Sequence, residues 1–290
     1  MNVITPPIKK RPLWKWALVL AASFILGVIG YGLLQMLALA DNDLHPVAIT
    51  IAVAVVLGLY ALGVKLMEGH WPRDLGLGKL VPHTTLGLIV GFVYMTLVVS
   101  TIAATGCATV DVRGTSWEEI AYWLLVFLTV GVGEEIIFRG IIFRQIDERW
   151  NTWTALIVSA LLFGFMHLPN DGATWWSSLA IAIEAGLMLA AAYKWSGTLW
   201  LPIGIHWAWN FTQGNVYGAT VSGNVAGGSL LEMQPAGPDI ITGGPFGPEA
   251  SIVAVIFGVI LTVIFLTNRY HRSPRRKFSE SNTPDRQVFT

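Results

Sequence analysis

Gly131-Val132-Gly133-Glu134-Glu135-Ile136-Ile137-Phe138-Arg139-Gly140 sits inside an apolar run that opens near Trp117 and closes near Arg144. Three formal charges therefore lie within a segment that otherwise reads as lipid-embedded. Each charge at the centre of a membrane helix costs roughly 2.5–3.5 kcal/mol, so three unpaired ones cost on the order of 8–10 kcal/mol. A chain that carries such a segment needs partners for these charges or a task for them. What the charges face decides the reading of everything around them.

The surroundings are as apolar as the run itself. The 290 residues are 54% hydrophobic and 12% charged, and the mean hydropathy is +0.60. A soluble domain carries about 25% charge. The composition is that of a polytopic, all-α membrane bundle whose partner is the lipid bilayer, in the inner membrane if the source is bacterial. The net charge is zero, so no nucleic-acid partner is expected. Cys107 is the single cysteine, which excludes an internal disulfide, and it reads as a packing residue. The 13 Trp and 30 Gly suit interfacial belts and close helix packing. No long internal repeat is visible.

Outward from the charged run, the chain divides into about eight spans. Residues 1–13 carry Lys9, Lys10 and Arg11, and an apolar run then reaches Ala40. Ala38-Leu39-Ala40 resembles a signal-peptide cleavage site. That run is far longer than the 7–15 residues of a signal h-region, so a retained first helix is expected. After a short loop from Asp41 to His45, further spans are expected at about 46–67, 84–107, 117–145, 153–168, 175–194, 198–213 and 250–267. Residues 214–249, rich in Gly, Pro, Asn and Ser, read as an extracytoplasmic loop, and 268–290 as a basic, disordered cytoplasmic tail. With this division, 16 of the 18 Lys and Arg fall on the side of the N-terminus, the opposite loops hold only Arg113, and Arg139 is inside a span. That segregation predicts eight helices with both termini cytoplasmic.

The polar groups inside the spans carry the chemistry. Glu135 and Arg139 are four apart and share a helix face, so they can pair. Glu134 is turned about 100° from Glu135 and can face a separate pocket, as a general base or acid would. The bland reading is an ion pair that fixes packing, with Glu134 idle. Phe163 and His167 share a face of the fifth span, and a lone membrane His is often a packing residue. His206 and Asn210 share a face of the seventh, where Asn can hold a carbonyl and His can donate to a developing oxyanion. At 1.5 Å per residue, Glu134 lies about 15 Å and His206 about 12 Å from the cytoplasmic ends of their helices, while His167 comes out deeper, near 22 Å. These depths suggest a polar chamber entered from the cytoplasm. Glu184, in the sixth span, is a further buried acid, open to packing or substrate contact. It reaches Lys194 only if its helix bends.

Glu134-Glu135-x-x-x-Arg139, Phe163-x-x-x-His167 and His206-x-x-x-Asn210, in that order, resemble the motif set of the CPBP family. These are the CAAX-protease and bacteriocin-processing (Abi) intramembrane proteases, which include the type II CAAX prenyl endopeptidases. The approach Trp195-Ser196-Gly197-Thr198-Leu199-Trp200-Leu201-Pro202 to His206 is similar too, and the likeness covers about residues 117–213. It implies a bundle of about eight spans and peptide-bond hydrolysis within the membrane. The substrate would be a membrane-associated protein or peptide, prenylated CAAX-like ones included. Carried over by position, Glu134 activates water with His167 helping to hold it. Glu135 is ordered by Arg139, and His206 with Asn210 forms the oxyanion hole.

A glutamate-dependent mechanism without cofactor is the favoured expectation. The alternative is one zinc ion held by Glu134, His167 and His206, although no His-Glu-x-x-His signature is present. Two other classes of function compete with proteolysis. One is a non-catalytic scaffold or bacteriocin-immunity factor on the same fold. The other is a transporter with a proton relay, against which the absence of a matching site in the first half counts.

Overall fold

The computed structural model describes residues 12–38 and 45–268. Lys9, Lys10 and Arg11, Leu39-Ala40 of the cleavage-like triplet, residues 41–44 and the basic tail from 269 onward lie outside the described residues.

Helices form at each position where an apolar span is expected. In chain order they are α1 (Leu13–Ala38), α2 (His45–Glu68), α3 (Leu80–Ala104) and α4 (Trp117–Glu135). The fourth continues through a π-helical stretch, Ile136–Phe143, into α5 (Arg144–Arg149). Then come α6 (Thr152–Phe165) and α7 (Trp175–Ile181), the latter running through a second π stretch, Ala182–Leu187, into α8 (Met188–Ser196). After α9 (Trp200–Phe211), with a π extension Thr212–Val216, follow the short α10 (Asp239–Thr242) and α11 (Ile252–Thr267). Among the described residues, five runs are long and apolar enough to cross a membrane: Leu13–Met36, Pro46–Glu68, Leu77–Ala104, Trp117–Arg149 and Trp175–Ser196. Thr152–Phe165 and Ile252–Thr267 are apolar but shorter. The chain is an integral, multi-pass membrane protein, and the outward-facing Ile25, Leu59, Ile89 and Ile260 suit a lipid surround.

Local signals account for the helix ends. The Ser116 hydroxyl accepts from Glu119 N at 3.1 Å, with Glu118 and Glu119 in the first turn. Asn151, Thr174 and Ser251 cap α6, α7 and α11 in the same way. Gly197, at φ 67°, closes α8 in the left-handed conformation that favours glycine.

The all-α expectation needs one amendment. Ala108–Val112 (β1) pairs antiparallel with Leu231–Pro235 (β2). β-branched Thr109, Val110 and Val112 suit an extended edge, and Cys107 O accepts from Ala236 N at 2.8 Å to start the ribbon. The expected loop 214–249 is therefore partly ordered and tied down at one end of the bundle.

Close backbone approach sets the position of α9. A Cβ at Gly91 would lie 2.2 Å from Ile205 O, one at Gly87 2.5 Å from Leu201 O, and one at Gly204 2.6 Å from Thr84 O. Gly87-x-x-x-Gly91 is thus a small-residue groove on α3 into which α9 sinks. That contact fixes which face of α9 is left for the interior.

Candidate active site

Three helices each contribute a stripe to one cavity of about 440 Å³. Trp123, Val126, Phe127, Val130 and Glu134 follow the three-to-four-residue spacing of one face of α4. Tyr31 and Gln35 come from α1, and His206 and Asn210 from α9, each pair four residues apart. Met166, His167 and Asn170 add the turn after α6, and Val221 to Ala226 form the roof.

Adjacent Glu134 and Glu135 have separate surroundings. Glu134 lines the cavity, and its Oε1 accepts from the Tyr31 hydroxyl at 3.0 Å. Gly133 makes this possible, since a Cβ there would fall 2.2 Å from the Tyr31 ring. Glu134 Oε2 is buried, accepts no hydrogen bond from the described residues, and lies 3.9 Å from His206 Nε2. Glu135 is fully buried behind it. Its Oε1 accepts from Arg139 Nη1 and from His206 Nδ1, both at 2.9 Å. Arg139 Nη2 donates to Ala185 O and Gly186 O, each at 3.3 Å. Those carbonyls lie in the π stretch 182–187, where widened turns leave backbone acceptors available. The guanidinium also sits 4.5 Å from the centroid of the Phe163 ring. The expected pair is therefore a chain, Arg139–Glu135–His206, that crosses three segments and orients the His206 ring.

His167 is not on a helix. α6 ends at Phe165, and His167 Nδ1 stands 2.8 Å from Phe163 O. A carbonyl only accepts, so Nδ1 carries the proton and Nε2 is left with a lone pair.

The structure places Glu134, His167, His206 and Asn210 on the one cavity and puts Glu135 and Arg139 behind it. The roof 221–226, the α6–α7 turn and the ribbon all lie at the end of the bundle where α4 begins, whereas Arg144 and Arg149 mark the end where α5 finishes. The lining runs along α4 from Trp123 to Glu134 towards the end where that helix begins, while the turns from Glu135 to Phe143 are fully buried in the bundle. The loop 214–249, expected either to cover the chamber or to act as a spacer, supplies its roof.

Glu184 is outside the cavity lining. It accepts from the Tyr94 hydroxyl, which also donates to Ala254 O at 2.9 Å, and Gly258 of α11 packs on its backbone. Lys194 pairs instead with Asp147 at 2.6 Å. Among the described residues, no three His, Cys, Asp or Glu are already grouped closely enough to hold a metal ion, although Glu134, His167 and His206 line the same cavity.

Two participants were missed in the sequence. Tyr31 lies in a span with no motif, and only the neighbouring Gly133 hints at its approach. Glu249 is buried, and its Oε1 accepts from Ser222 N and, at 3.0 Å, from Ser222 Oγ. It thereby fastens the roof at Ser222, whose φ of 47° is left-handed. Burial pushes the Glu249 carboxyl up to about 8, partly offset by those two donors. Glu249 also borders a small gap shared with His167, His206 and Asn210.

Residues 116–212 match the family model of Rce1-like, type II CAAX prenyl endopeptidases. That segment holds every motif residue from Glu134 to Asn210, and over it the resemblance to the CPBP family of CAAX proteases holds. The family is one of membrane peptidases acting on peptide or protein substrates. No curated protein and no solved structure matches the chain.

Proposed function

We propose that this chain, a CAAX-protease relative over residues 116–212, is an intramembrane endopeptidase in which Glu134 activates the attacking water. The observation that carries the proposal is the convergence of Glu134, His167, His206 and Asn210 on one cavity while Arg139 neutralises Glu135 behind it. A carboxylate oxygen with no protein donor beside a half-dry chamber is free to take a proton from water.

The water sits against Glu134 Oε2 and within reach of the His167 Nε2 lone pair. Glu134 removes one proton as the water oxygen bonds to the scissile carbonyl carbon. The carbonyl oxygen becomes an oxyanion, held by the Asn210 amide and the His206 Nε2–H. With Nδ1 donating to Glu135, donation from Nε2 as well requires a proton on both ring nitrogens. Glu134 then passes its proton to the leaving nitrogen as the carbon–nitrogen bond breaks, leaving a free acid and a free amine. Tyr31 holds Glu134 in place throughout. No metal takes part in this reading.

The chain crosses the membrane eight times with both termini cytoplasmic. The substrate is a membrane-associated protein or peptide, and prenylated CAAX-like peptides belong in the test panel. The decisive test compares purified wild type and Glu134→Gln on that panel in detergent, with and without a chelator. Loss of a proton-transfer group lowers the rate by roughly 10²–10⁴-fold, so the variant should be inactive while its thermal unfolding is unchanged. Retained cleavage by the variant would sink the proposal. Loss on chelation restored by zinc would move His167 and His206 into a ligand shell.

A further inference from the structure

The roof of the chamber is fastened by an acid that lies outside the matched segment 116–212. Glu249 sits in the turn Pro248–Ala250, just before Ser251 caps α11. The preceding Gly247, at φ 125°, lets the chain fold back on itself, and a Cβ there would lie 2.9 Å from Glu249 Oε2. The carboxyl is thereby turned inward, and the residue is 1% exposed. Its two oxygens have different surroundings. Oε1 accepts from Ser222 N and Ser222 Oγ. Oε2 is buried and has no hydrogen-bond partner among the described residues. A buried polar atom without a partner is costly, so each one needs an account.

Glu249 borders a gap of about 10 Å³, the room of one water. His167, His206, Asn210 and Ser222 border both this gap and the chamber, so their side chains are the partition between the two. Most polar atoms of that partition are committed. Ser222 Oγ donates to Glu249 Oε1, His206 Nδ1 to Glu135 and His167 Nδ1 to Phe163 O. His206 Nε2 faces Glu134 at 3.9 Å, and His167 Nε2 is engaged by the attacking water. Trp209, also on the gap, donates its Nε1 to Gln213. The Asn210 amide is left, and no described residue holds it. An amide has a carbonyl end and an N–H₂ end of nearly the same shape, so its hydrogen bonds decide which end faces the chamber. Oxyanion donors act by being aimed in advance, so that decision matters for catalysis.

We infer that Glu249 is a positioning residue of the site: through one water in the gap its carboxyl O–H holds Asn210 Oδ1, and so presents Asn210 Nδ2 to the oxyanion. The inference rests on the proteolytic reading for the oxyanion, and on geometry alone for the link. Burial raises the Glu249 carboxyl to about 8, and with Oε1 taken by two donors the proton belongs on Oε2. A neutral carboxyl therefore offers a donor where the amide carbonyl needs one. None of the described titratable groups around it is Lys or Arg. They are His167 and His206 on the gap, Glu184 of the second π stretch, Tyr94 of α3 and, on adjoining turns, exposed Asp171 and Asp239. Each donor of the oxyanion hole is then aimed from behind by its own glutamate, His206 by Glu135 and Asn210 by Glu249.

The experiment has two arms, both on the full chain purified in detergent. The first is a melting-temperature cycle of wild type, Glu249→Ala, Asn210→Ala and the double variant, which needs no substrate. Linked residues give losses that do not add, and this is the expected result. Losses that add overturn the link. Should Glu249→Ala not fold, Glu249→Asp, which keeps the acid but shortens its reach by one carbon, takes its place in the cycle. The second arm measures kcat and KM for the same variants on the peptide panel. Removing one oxyanion donor costs roughly 10²–10³ in kcat, so Glu249→Ala should lose about 10-fold or more with KM little changed. Glu249→Gln, whose amide N–H stands in for the carboxyl O–H, should recover most of kcat. In the Asn210→Ala background Glu249→Ala should cost nothing further, a result that a general loosening of the roof does not produce. Full kcat in Glu249→Ala, or an equal loss with and without Asn210, overturns the positioning role. No cleavage of any peptide by wild type removes the proteolytic reading and the role with it, and the melting cycle still decides the link.

Discussion

Glu134 and Glu135 differ by one position and by everything around them. Glu135 is held between Arg139 and His206, so its partners neutralise and orient it. Removing one member of a buried pair leaves an uncompensated charge and costs about 3–5 kcal/mol. Arg139→Ala should therefore lower thermal stability in detergent by that order, and Glu135→Gln with Arg139→Ala should cost less than the two separate losses combined. Glu134 depends on Tyr31 for its single hydrogen bond among the described residues. Losing a bond of this kind is worth about 1–2 kcal/mol, so Tyr31→Phe should reduce kcat/KM by about 5- to 30-fold. Unfolding temperature should move little, and an unchanged kcat/KM would remove Tyr31 from the site.

Elements contribute by how closely they approach. Gly91 lets α9 rest on α3, and a methyl group there meets Ile205 O. Overpacking of this kind costs about 1–3 kcal/mol. Gly91→Ala should lower the melting temperature and also activity, because α9 carries His206 and Asn210. Gly32→Ala in α1, where an added Cβ meets nothing within 4 Å, is the control and should be neutral or slightly stabilising. The roof turn has a different dependence. Glu249 is an ordinary carboxyl near 4.5 when exposed and is raised to about 8 by burial. The folded chain keeps a proton that the unfolded chain releases between those values. Its contribution is therefore fully present below about 4.5, falls as pH rises, and is gone above about 8. Melting temperatures followed over that range should show the decline in wild type and a flatter profile in Glu249→Gln. Parallel curves would show that Glu249 is not the group responsible.

At the scale of the molecule, the bundle gathers its chemistry in one cavity roofed at the end where α4 begins, and keeps the ion pairs Arg144–Glu68 and Lys194–Asp147 at the other. Much of this was written in the chain. Long apolar runs must form helices in lipid because the backbone has no other hydrogen-bond partners, so the spans were legible from composition. The four-residue spacings Glu135–Arg139 and His206–Asn210 were legible because helical periodicity alone puts each pair on one face. The end of α6 before His167, the ribbon of β1 with β2, and the fastening of the roof by Glu249 were not. The ribbon and the roof depend on partners distant in sequence, as the approach of Tyr31 does: Ser222 is 27 residues from Glu249, and Tyr31 is 103 from Glu134. Depth along a single helix says how far a residue lies from each end, but not which end its neighbours close. The sequence by itself determined that this is a membrane helix bundle and which polar residues it buries. Only the tertiary structure decided that they share one cavity and which loop covers it, because both depend on how segments far apart in the chain pack against one another.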